Sequence, residues 1–287
     1  MIEALVQGTR KDLGGFEVGR VLPQAARRSV GPFVFLDHMG PATFPPGRGI
    51  EVRPHPHIGL ATITWLLSGA FRHRDSLGSS MVIRPGEVNW MVAGRGVTHS
   101  ERTDPDMRAS GGPIHGLQAW VALPEADEEM DPSFTHVDAD AVPTFAEGGA
   151  VARLIAGTAW GVASPVPVRS PLVYLHVELA AEARFAIPEE HPERAVVVTG
   201  GTVSVDGTIV RPGELAVVSG ESIVSAESAA TIAVLGGAPL GHRHLLWNFV
   251  SSRRERVEQA REDWKAGQFV LPPGDDTEFI PWPESLR

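Results

Sequence analysis

Short apolar runs separated by glycine and proline make up most of this chain. Glycine and proline number 31 and 24, and they recur every eight to twelve residues between runs rich in valine, isoleucine, leucine and tryptophan. The runs at residues 61–67, 195–198 and 231–235 are too short for core helices, are rich in β-branched side chains and end at or near glycine. This rhythm predicts an all-β protein of the sandwich or barrel type.

One segment near the C-terminus has helical spacing instead. Val257, Ala260 and Trp264 recur at intervals of three to four residues. Ser252 is followed three residues later by Glu255, which matches a capping box at the start of a helix, and Gly267 suits the end of one. These signals predict a single short C-terminal helix.

An internal repeat divides the chain. The segments Leu67-Ser68-Gly69 and Arg84-Pro85-Gly86-Glu87 recur as Val198-Thr199-Gly200 and Arg211-Pro212-Gly213-Glu214. Each copy has the order of a cupin half-barrel: a strand ending at glycine, a hairpin, a Pro-Gly turn and another strand. We therefore predict two cupin (double-stranded β-helix) barrels, at residues 1–135 and 136–287, with the acidic, turn-rich stretch 124–149 as the linker region.

Composition narrows the possible functions. The chain has 287 residues, enough for two domains, and lacks the ~18 uninterrupted apolar residues of a membrane span. Its first residues do not resemble a secretory signal, so we expect a soluble cytoplasmic protein without membrane contact. The formal net charge of −10 opposes direct binding to nucleic acid. The absence of cysteine leaves only nitrogen and oxygen ligands for a metal ion.

Two clusters have the spacing of metal ligands. His55 and His57 are two residues apart, so on a strand both rings project from the same face, roughly 6.5–7 Å apart along the backbone. His99 and Glu101 repeat this spacing about forty residues later. Two neighbouring strands can thus direct three imidazoles and one carboxylate toward one divalent first-row ion and leave a position open for a substrate.

The second copy of the repeat provides an internal control for these ligands. When Gly69 is aligned with Gly200, His55 and His57 correspond to Ala186 and Pro188. When Pro85 is aligned with Pro212, His99 and Glu101 correspond to Ala226 and Ser228, so the second copy has none of the four ligands. Residues that served only the barrel fold would be expected in both copies. We therefore predict one metal site, in the first barrel.

Other polar residues are interpreted as structural. His115 is expected to be a hydrogen-bonded structural histidine, and His73 with Asp75 a solvated ion pair in the hairpin after Gly69. A loop without a metal is expected at Glu189, Glu190 and His191. A solvated helix face is expected at Arg253, Arg254 and Arg256.

Longer motifs resemble the pirin family over nearly the whole chain: residues 32–38 (PFVFLDH), 55–60 (HPHIGL), 90–101 (WMVAGRGVTHSE), 115–121 (HGLQAWV) and 246–252 (LWNFVSS). The resemblance implies a bicupin with a metal ion in the N-terminal barrel only, on His55, His57, His99 and Glu101. It favours iron(II), with zinc, manganese, nickel, cobalt or copper as alternatives. Pirins commonly have glutamate where this chain has Ala61, so substrate positioning is expected to differ.

The resemblance also implies an activity, the quercetin 2,3-dioxygenase reaction, in which a flavonol ring is cleaved with dioxygen. In that reaction Glu101 is expected to bind the metal and to accept the substrate's hydroxyl proton. The alternative is a regulatory protein that responds to the oxidation state of its metal and acts through a protein partner. A third possibility, a metal-dependent isomerase or other small-molecule cupin enzyme, rests on fold analogy. A monomer is expected.

Overall fold

The fold is built almost entirely from antiparallel strands, as the computed structural model shows for residues 1–12 and 17–284. The strands are β1 (Ile2–Gln7), β2 (Thr9–Asp12), β3 (Glu17–Leu22), β4 (Phe33–Phe44), β5 (Glu51–His57), β6 (Leu60–Ser68), β7 (Phe71–Asp75), β8 (Ser80–Ile83), β9 (Val88–Val92), β10 (Val97–Arg102), β11 (Gly112–Ala122), β12 (Ser133–Val137), β13 (Thr144–Glu147), β14 (Ala150–Ala159), β15 (Val162–Ala163), β16 (Leu172–Leu179), β17 (Ala183–Ala186), β18 (Glu193–Gly200), β19 (Val203–Val205), β20 (Thr208–Val210), β21 (Glu214–Val218), β22 (Ile223–Ala226), β23 (Ala230–Gly237), β24 (His244–Leu246) and β25 (Phe249–Ser251). The α-helices are α1 (Pro105–Ser110) and α2 (Arg254–Lys265), and short 3-10 turns occupy Glu125–Asp127 and Ala139–Ala141. Neither described α-helix is long and apolar enough to cross a membrane.

The described chain forms two compact units, each discontinuous in sequence. The apolar unit comprises Met1–His38 and Val137–Pro239, and the histidine unit comprises Met39–His136 and Leu240–Arg287. The stretch expected to be a linker, residues 124–149, contains β12 and β13, so it contributes strands as well as turns. The two cupin copies at residues 1–135 and 136–287 stay a prediction, because the compact units follow a different division of the chain.

The apolar unit pairs a large sheet with a small one. The large sheet has the order β1-β21-β18-β23-β16-β14-β13, with β15 paired to β14, and the small sheet has the order β17-β22-β19-β20. Alternate residues of these strands point inward and are almost all Val, Ile, Leu or Ala. Burial of these side chains forms a continuous hydrophobic core, and each buried methylene contributes about 0.8 kcal/mol.

The histidine unit repeats this arrangement. Its larger sheet contains β12-β9-β6-β11 in that order, and its small sheet has the order β5-β10-β7-β8. The small sheets of the two units therefore follow the same succession of strands along the chain. This match confirms the predicted all-β fold with two barrels.

The Pro-Gly turns of the repeat have the same hydrogen bonds in both copies. The backbone N–H of Arg84 donates to the side chain of Glu87 at 2.7 Å, and the N–H of Arg211 donates to Glu214 at 2.7 Å. Gly86 and Gly213 have φ of 86° and 84°, the left-handed value that a type II turn requires after proline. The sequence repeat therefore reflects a repeated turn.

The alignment of Gly69 with Gly200 is wrong by one residue. Gly69 has a φ of 82°, and the glycine of the second copy with this conformation is Gly201, with a φ of 71°. Both copies have the same register shift before this turn: Ser68 pairs with His115 in the first, and Gly200 pairs with Thr231 in the second. Ser68 therefore corresponds to Gly200, and Gly69 corresponds to Gly201.

Helix α2 is confirmed, but its predicted capping box is wrong. The N-cap is Arg253, which makes no side-chain cap, and the hydroxyl of Ser252 donates instead to Glu128 at 2.9 Å. At the other end the predicted role of Gly267 holds, because it has a φ of 68° and its N–H donates to Trp264 at 3.1 Å.

Candidate metal centre

Two neighbouring antiparallel strands of the small sheet in the histidine unit carry the candidate ligands. In the pairing of β5 with β10, His55 lies directly opposite His99. His57 follows His55 by two residues and therefore projects from the same face. Pro56, between the two histidines, has no N–H to donate to a neighbouring strand. It is tolerated here because β5 is an edge strand of the sheet.

The three imidazoles converge inside the barrel. The potential ligand atoms of His55, His57 and His99 lie within 4.8 Å of one another, and all three side chains are buried. The Nε2 atoms of His57 and His99 are 3.1 Å apart. Two nitrogens that bind one ion at about 2.0–2.1 Å each can lie at this separation, so the donor set fits a divalent first-row metal.

Backbone carbonyls fix the tautomers of two of these rings. Nδ1 of His55 donates to the carbonyl of Arg53 at 2.9 Å, and Nδ1 of His57 donates to the carbonyl of Asn248 at 3.1 Å. A carbonyl can only accept, so in both rings the proton is on Nδ1 and the lone pair is on Nε2. This is the arrangement usual for histidines that bind a metal through one nitrogen.

The electrostatics keep the imidazoles neutral, which is the form that binds metal. Burial lowers the pKa of His55 to about 4. Burial, with the charges of neighbouring histidines, also lowers the pKa values of His57 and His99 well below the ordinary value. The cluster is therefore ready to accept an ion at neutral pH without first losing protons from its rings.

Glu101 is buried on the same strand as His99, but the three-histidine cluster does not include it. Burial raises the pKa of Glu101 to about 7, although a hydrogen bond from Gln118 lowers it. The amide of Gln118 donates to Oε1 of Glu101 at 3.2 Å and accepts from the hydroxyl of Thr64 at 2.7 Å. These two hydrogen bonds orient the carboxylate of Glu101. Its role as fourth ligand stays a prediction.

The expectation for His73 and Asp75 is wrong. Both side chains are buried, at 3% and 0% exposure, instead of forming a solvated pair. Nδ1 of His73 lies 3.4 Å from Nδ1 of His99, and Nε2 of His73 lies 3.0 Å from Oδ2 of Asp75. The sequence did contain a signal for them, a third pair of polar residues two apart on a strand. Its meaning depends on the pairing of β7 with β10, which places this pair beside His99 and Glu101.

Ala61 lies outside the pocket that contains the histidines. Thr62 pairs with Trp120, whose ring contacts that of His57 at 5.0 Å between centroids. Successive residues of a strand point to opposite faces, so Ala61 is on the far side of the sheet. Its replacement of the usual glutamate does not alter the lining of the metal site directly.

The other residues interpreted as structural lie outside the histidine cluster. Glu189, Glu190 and His191 are in the loop between β17 and β18, where Glu190 accepts from the N–H of Trp160 at 2.6 Å and Nε2 of His191 contacts the carbonyl of Thr158 at 3.0 Å. His115 is half-buried on β11. At the start of α2, Arg253 and Arg254 are exposed as expected, whereas Arg256 is half-buried, and Arg253 and Arg256 both pair with Glu129.

Comparisons with known proteins agree with this architecture. The sequence matches the family model "Pirin" over residues 15–121 and the model "Pirin C-terminal cupin domain" over residues 174–270. A pirin-like protein from Caulobacter vibrioides is 55% identical over 289 residues, covering 99% of this chain and 100% of the relative. A Pseudomonas aeruginosa protein provisionally named quercetin 2,3-dioxygenase PA1205 is 38% identical, covering 88% of this chain and 80% of the relative.

Solved structures show the same fold. The crystal structure of a quercetin 2,3-dioxygenase from Acinetobacter baumannii superimposes with a TM-score of 0.91 at 32% identity, covering 98% of this chain and 94% of that one. The bacterial pirin YhhW from Escherichia coli, solved in complex with nickel(II), has a TM-score of 0.66 at 17% identity, covering 83% and 100% of the two chains. The expected bicupin architecture is thus confirmed, and this chain belongs to the pirin family.

Proposed function

We propose that this chain is a metal-dependent dioxygenase that cleaves the ring of a flavonol such as quercetin with dioxygen. The observation that carries the proposal is the buried cluster of His55, His57 and His99, held neutral with Nε2 of His57 and His99 facing each other. The substrate class comes from similarity to proteins named as quercetin 2,3-dioxygenases.

The residues that would hold the ion are His55, His57 and His99, with Glu101 as the proposed fourth ligand. When bound, a divalent ion with one carboxylate ligand retains about one net positive charge, favours an anionic substrate oxygen and, if redox-active, supplies the chemistry that dioxygen requires. We propose iron(II) as the native metal, and the donor set also suits manganese, nickel, cobalt, copper or zinc.

Glu101 is the proposed acceptor of the substrate's hydroxyl proton. Its pKa of about 7, raised by burial, makes it a stronger base than an ordinary glutamate while leaving a substantial fraction ionised at neutral pH. The amide of Gln118 holds Oε1 and so orients the carboxylate.

Aromatic side chains beside the histidines provide apolar walls for a planar substrate. The ring of Trp120 packs edge-on against His57, with centroids 5.0 Å apart. Phe134 stacks on His73 with centroids 4.5 Å apart. Binding sites for small aromatic molecules combine such surfaces with a few oriented polar groups, and the same surfaces exclude water from the reacting atoms.

The experiment measures metal content by elemental analysis and oxygen uptake with quercetin, after loading the protein separately with each of the six metals. We expect uptake with a redox-active metal, and we expect Glu101→Ala to lower it at least tenfold. The control is Glu147→Ala, which removes an exposed carboxylate on β13 and is expected to change neither quantity. Full activity of Glu101→Ala with normal metal content would contradict the role of Glu101.

The regulatory alternative is separated by the same experiment. Stoichiometric metal without oxygen uptake in any loaded form would favour a protein that responds to the oxidation state of its metal. That function then requires partners whose capture differs between the iron(II) and iron(III) forms. The cytoplasmic location and the monomeric state expected from the sequence stay predictions.

A further inference from the structure

His73 and Asp75 form a buried pair behind the metal site. Both lie on β7, which pairs with β10 so that Asp75 is opposite His99 and His73 is opposite Glu101. Phe134 stacks on the ring of His73 with an interplanar angle of 15°, which restricts its rotation. Burial of two such polar groups is costly unless their hydrogen bonds are made.

The hydrogen bonds of Asp75 determine which nitrogen of His73 carries the proton. Oδ1 of Asp75 accepts the backbone N–H groups of Leu77 at 2.9 Å and Ser79 at 3.0 Å, and Oδ2 faces Nε2 of His73 at 3.0 Å. Burial raises the pKa of Asp75, but the hydrogen bonds from His73 and Ser79 outweigh it and the pKa is lowered. An ionised carboxylate only accepts, so Nε2 of His73 carries the proton and Nδ1 has the lone pair.

That lone pair determines the tautomer of His99. Nδ1 of His73 lies 3.4 Å from Nδ1 of His99, so His99 donates through Nδ1 and its own lone pair is on Nε2. Nε2 of His99 faces Nε2 of His57 at 3.1 Å, inside the candidate site. His55 and His57 obtain the same tautomer from backbone carbonyls, whereas His99 obtains it from a side chain.

We propose that Asp75 and His73 are positioning residues that fix the tautomer and ring orientation of His99, so that its Nε2 is directed at the metal ion. Outer hydrogen-bond partners of metal-binding histidines typically contribute about 10–100-fold to metal affinity. The proposal rests on the metal site and not on flavonol cleavage.

Three substitutions separate this role from simple packing. In Asp75→Asn, the amide oxygen is expected to keep the N–H groups of Leu77 and Ser79, so the amide NH₂ faces His73 and reverses the direction of the hydrogen bonds. His73→Leu removes the acceptor for His99. His73→Asn has nearly the same shape as His73→Leu but places a carbonyl oxygen close to the position of Nδ1.

The first measurement is the apparent Kd for zinc at pH 7.5, by competition with a chelator. We expect Asp75→Asn and His73→Leu to weaken binding about 10–100-fold and His73→Asn to restore it to within about threefold of the native chain. The control is His115→Asn, a half-buried histidine in the same unit outside the ligand cluster, which is expected to keep the native affinity. Equal losses in His73→Leu and His73→Asn, or none in Asp75→Asn, would overturn the proposal.

The second measurement is the ring-nitrogen NMR spectrum of His99 in the metal-free protein. We expect the Nδ1–H tautomer in the native chain and the Nε2–H tautomer in Asp75→Asn. An Nε2–H tautomer in the native chain would refute the inference whatever the zinc affinities are. If the native protein binds no zinc, the proposed function fails. The spectrum of the metal-free protein still tests whether Asp75 and His73 fix the tautomer of His99.

Discussion

The two barrels share a small sheet of the same strand order but differ in what its paired strands direct inward. In the histidine unit, β5 and β10 place His55 opposite His99. In the apolar unit, β17 and β22 place Ala183 opposite Ala226, and both alanines belong to the hydrophobic core. Within the described residues of the apolar unit, no three residues have potential ligand atoms that all lie within 4.8 Å of one another. The cupin fold therefore does not require the histidines, as expected if they serve the proposed metal site.

The difference has an energetic side. A buried polar group without a partner costs roughly 1–3 kcal/mol, whereas an alanine or valine in the same place is stabilising. In the histidine unit the outer nitrogens of His55 and His57 donate to carbonyls, and His99 contacts His73. These hydrogen bonds lower the free-energy cost of burying the three imidazoles. The Nε2 atoms that point into the barrel remain available to bind a ligand.

The largest effect is expected from removing two histidines of the cluster. His55→Ala/His99→Ala should reduce metal content from about one ion per chain to almost none, because only one of the three nitrogens remains. The matched control is His242→Ala/His244→Ala, a histidine pair with the same spacing on a more exposed part of the unit, with rings 4.6 Å apart. Elemental analysis after gel filtration makes the comparison. Loss of metal in the control variant alone would place the site elsewhere.

The pH dependence of metal binding is the next largest effect. Below about pH 7 zinc affinity should fall by up to tenfold per pH unit, because the pKa of about 7 means that Glu101 must release a proton before it can act as a ligand. The histidines should resist protonation longer, because burial lowers the pKa of His55 to about 4. The steep loss is therefore expected below the pKa of about 6.5 of an unperturbed imidazole.

The measurement is chelator competition from pH 4 to 8 on the native chain and on Glu101→Gln. The shallow loss between pH 7 and 5 should disappear in Glu101→Gln, and the steep loss at low pH should remain. A steep, multi-proton loss already complete at pH 6 would show that the cluster is more hydrated than the structure indicates. An unchanged shallow loss in Glu101→Gln would exclude Glu101 as its source.

Placing a histidine in the apolar barrel should destabilise it without creating a site. Ala226→His introduces a larger, polar side chain into a filled core, which is expected to lower the free energy of unfolding by about 1–3 kcal/mol. Ala186→His, at an exposed position of the strand that pairs with β22, is the control and should stay within about 0.5 kcal/mol. Urea unfolding measures both. Equal effects would mean that Ala226 is not in a tightly packed environment.

The sequence predicted the barrels and the histidine cluster because their signals are local. Residues two apart on a strand share a face, and a Pro-Gly turn has a fixed conformation, so His55, His57 and the turns at Gly86 and Gly213 followed from short patterns. The failures depend on pairing between strands. The alignment of Gly69 with Gly200 failed because a second glycine, Gly201, follows, and only the strand pairing shows which of the two has the turn conformation.

The same limitation explains the misassigned polar residues. His73 and Asp75 looked solvated because the hairpin pattern does not reveal that β7 lies beside β10. Ser252 looked like a helix cap because a capping box does not reveal a competing acceptor, here Glu128, more than a hundred residues away. These contacts join segments that are distant in sequence, so a local pattern can single out a polar residue but cannot identify its neighbours.

The smallest expected effect tests the equivalence of the two Pro-Gly turns. Glu87→Ala and Glu214→Ala each remove one hydrogen bond of 2.7 Å to a backbone N–H, so each should lower the free energy of unfolding by about 0.5–1.5 kcal/mol. Glu87 also lies 3.8 Å from Nε2 of His136, so all variants are compared at the same pH of 8 and at high salt, which screens a charged pair. Because Gln can still accept through its amide oxygen, Glu87→Gln and Glu214→Gln should lose less than the alanine variants. Urea unfolding at pH 8 measures both losses. Clearly unequal losses in the two alanine variants would show that the two turns have the same backbone geometry but contribute differently to the free energy of unfolding.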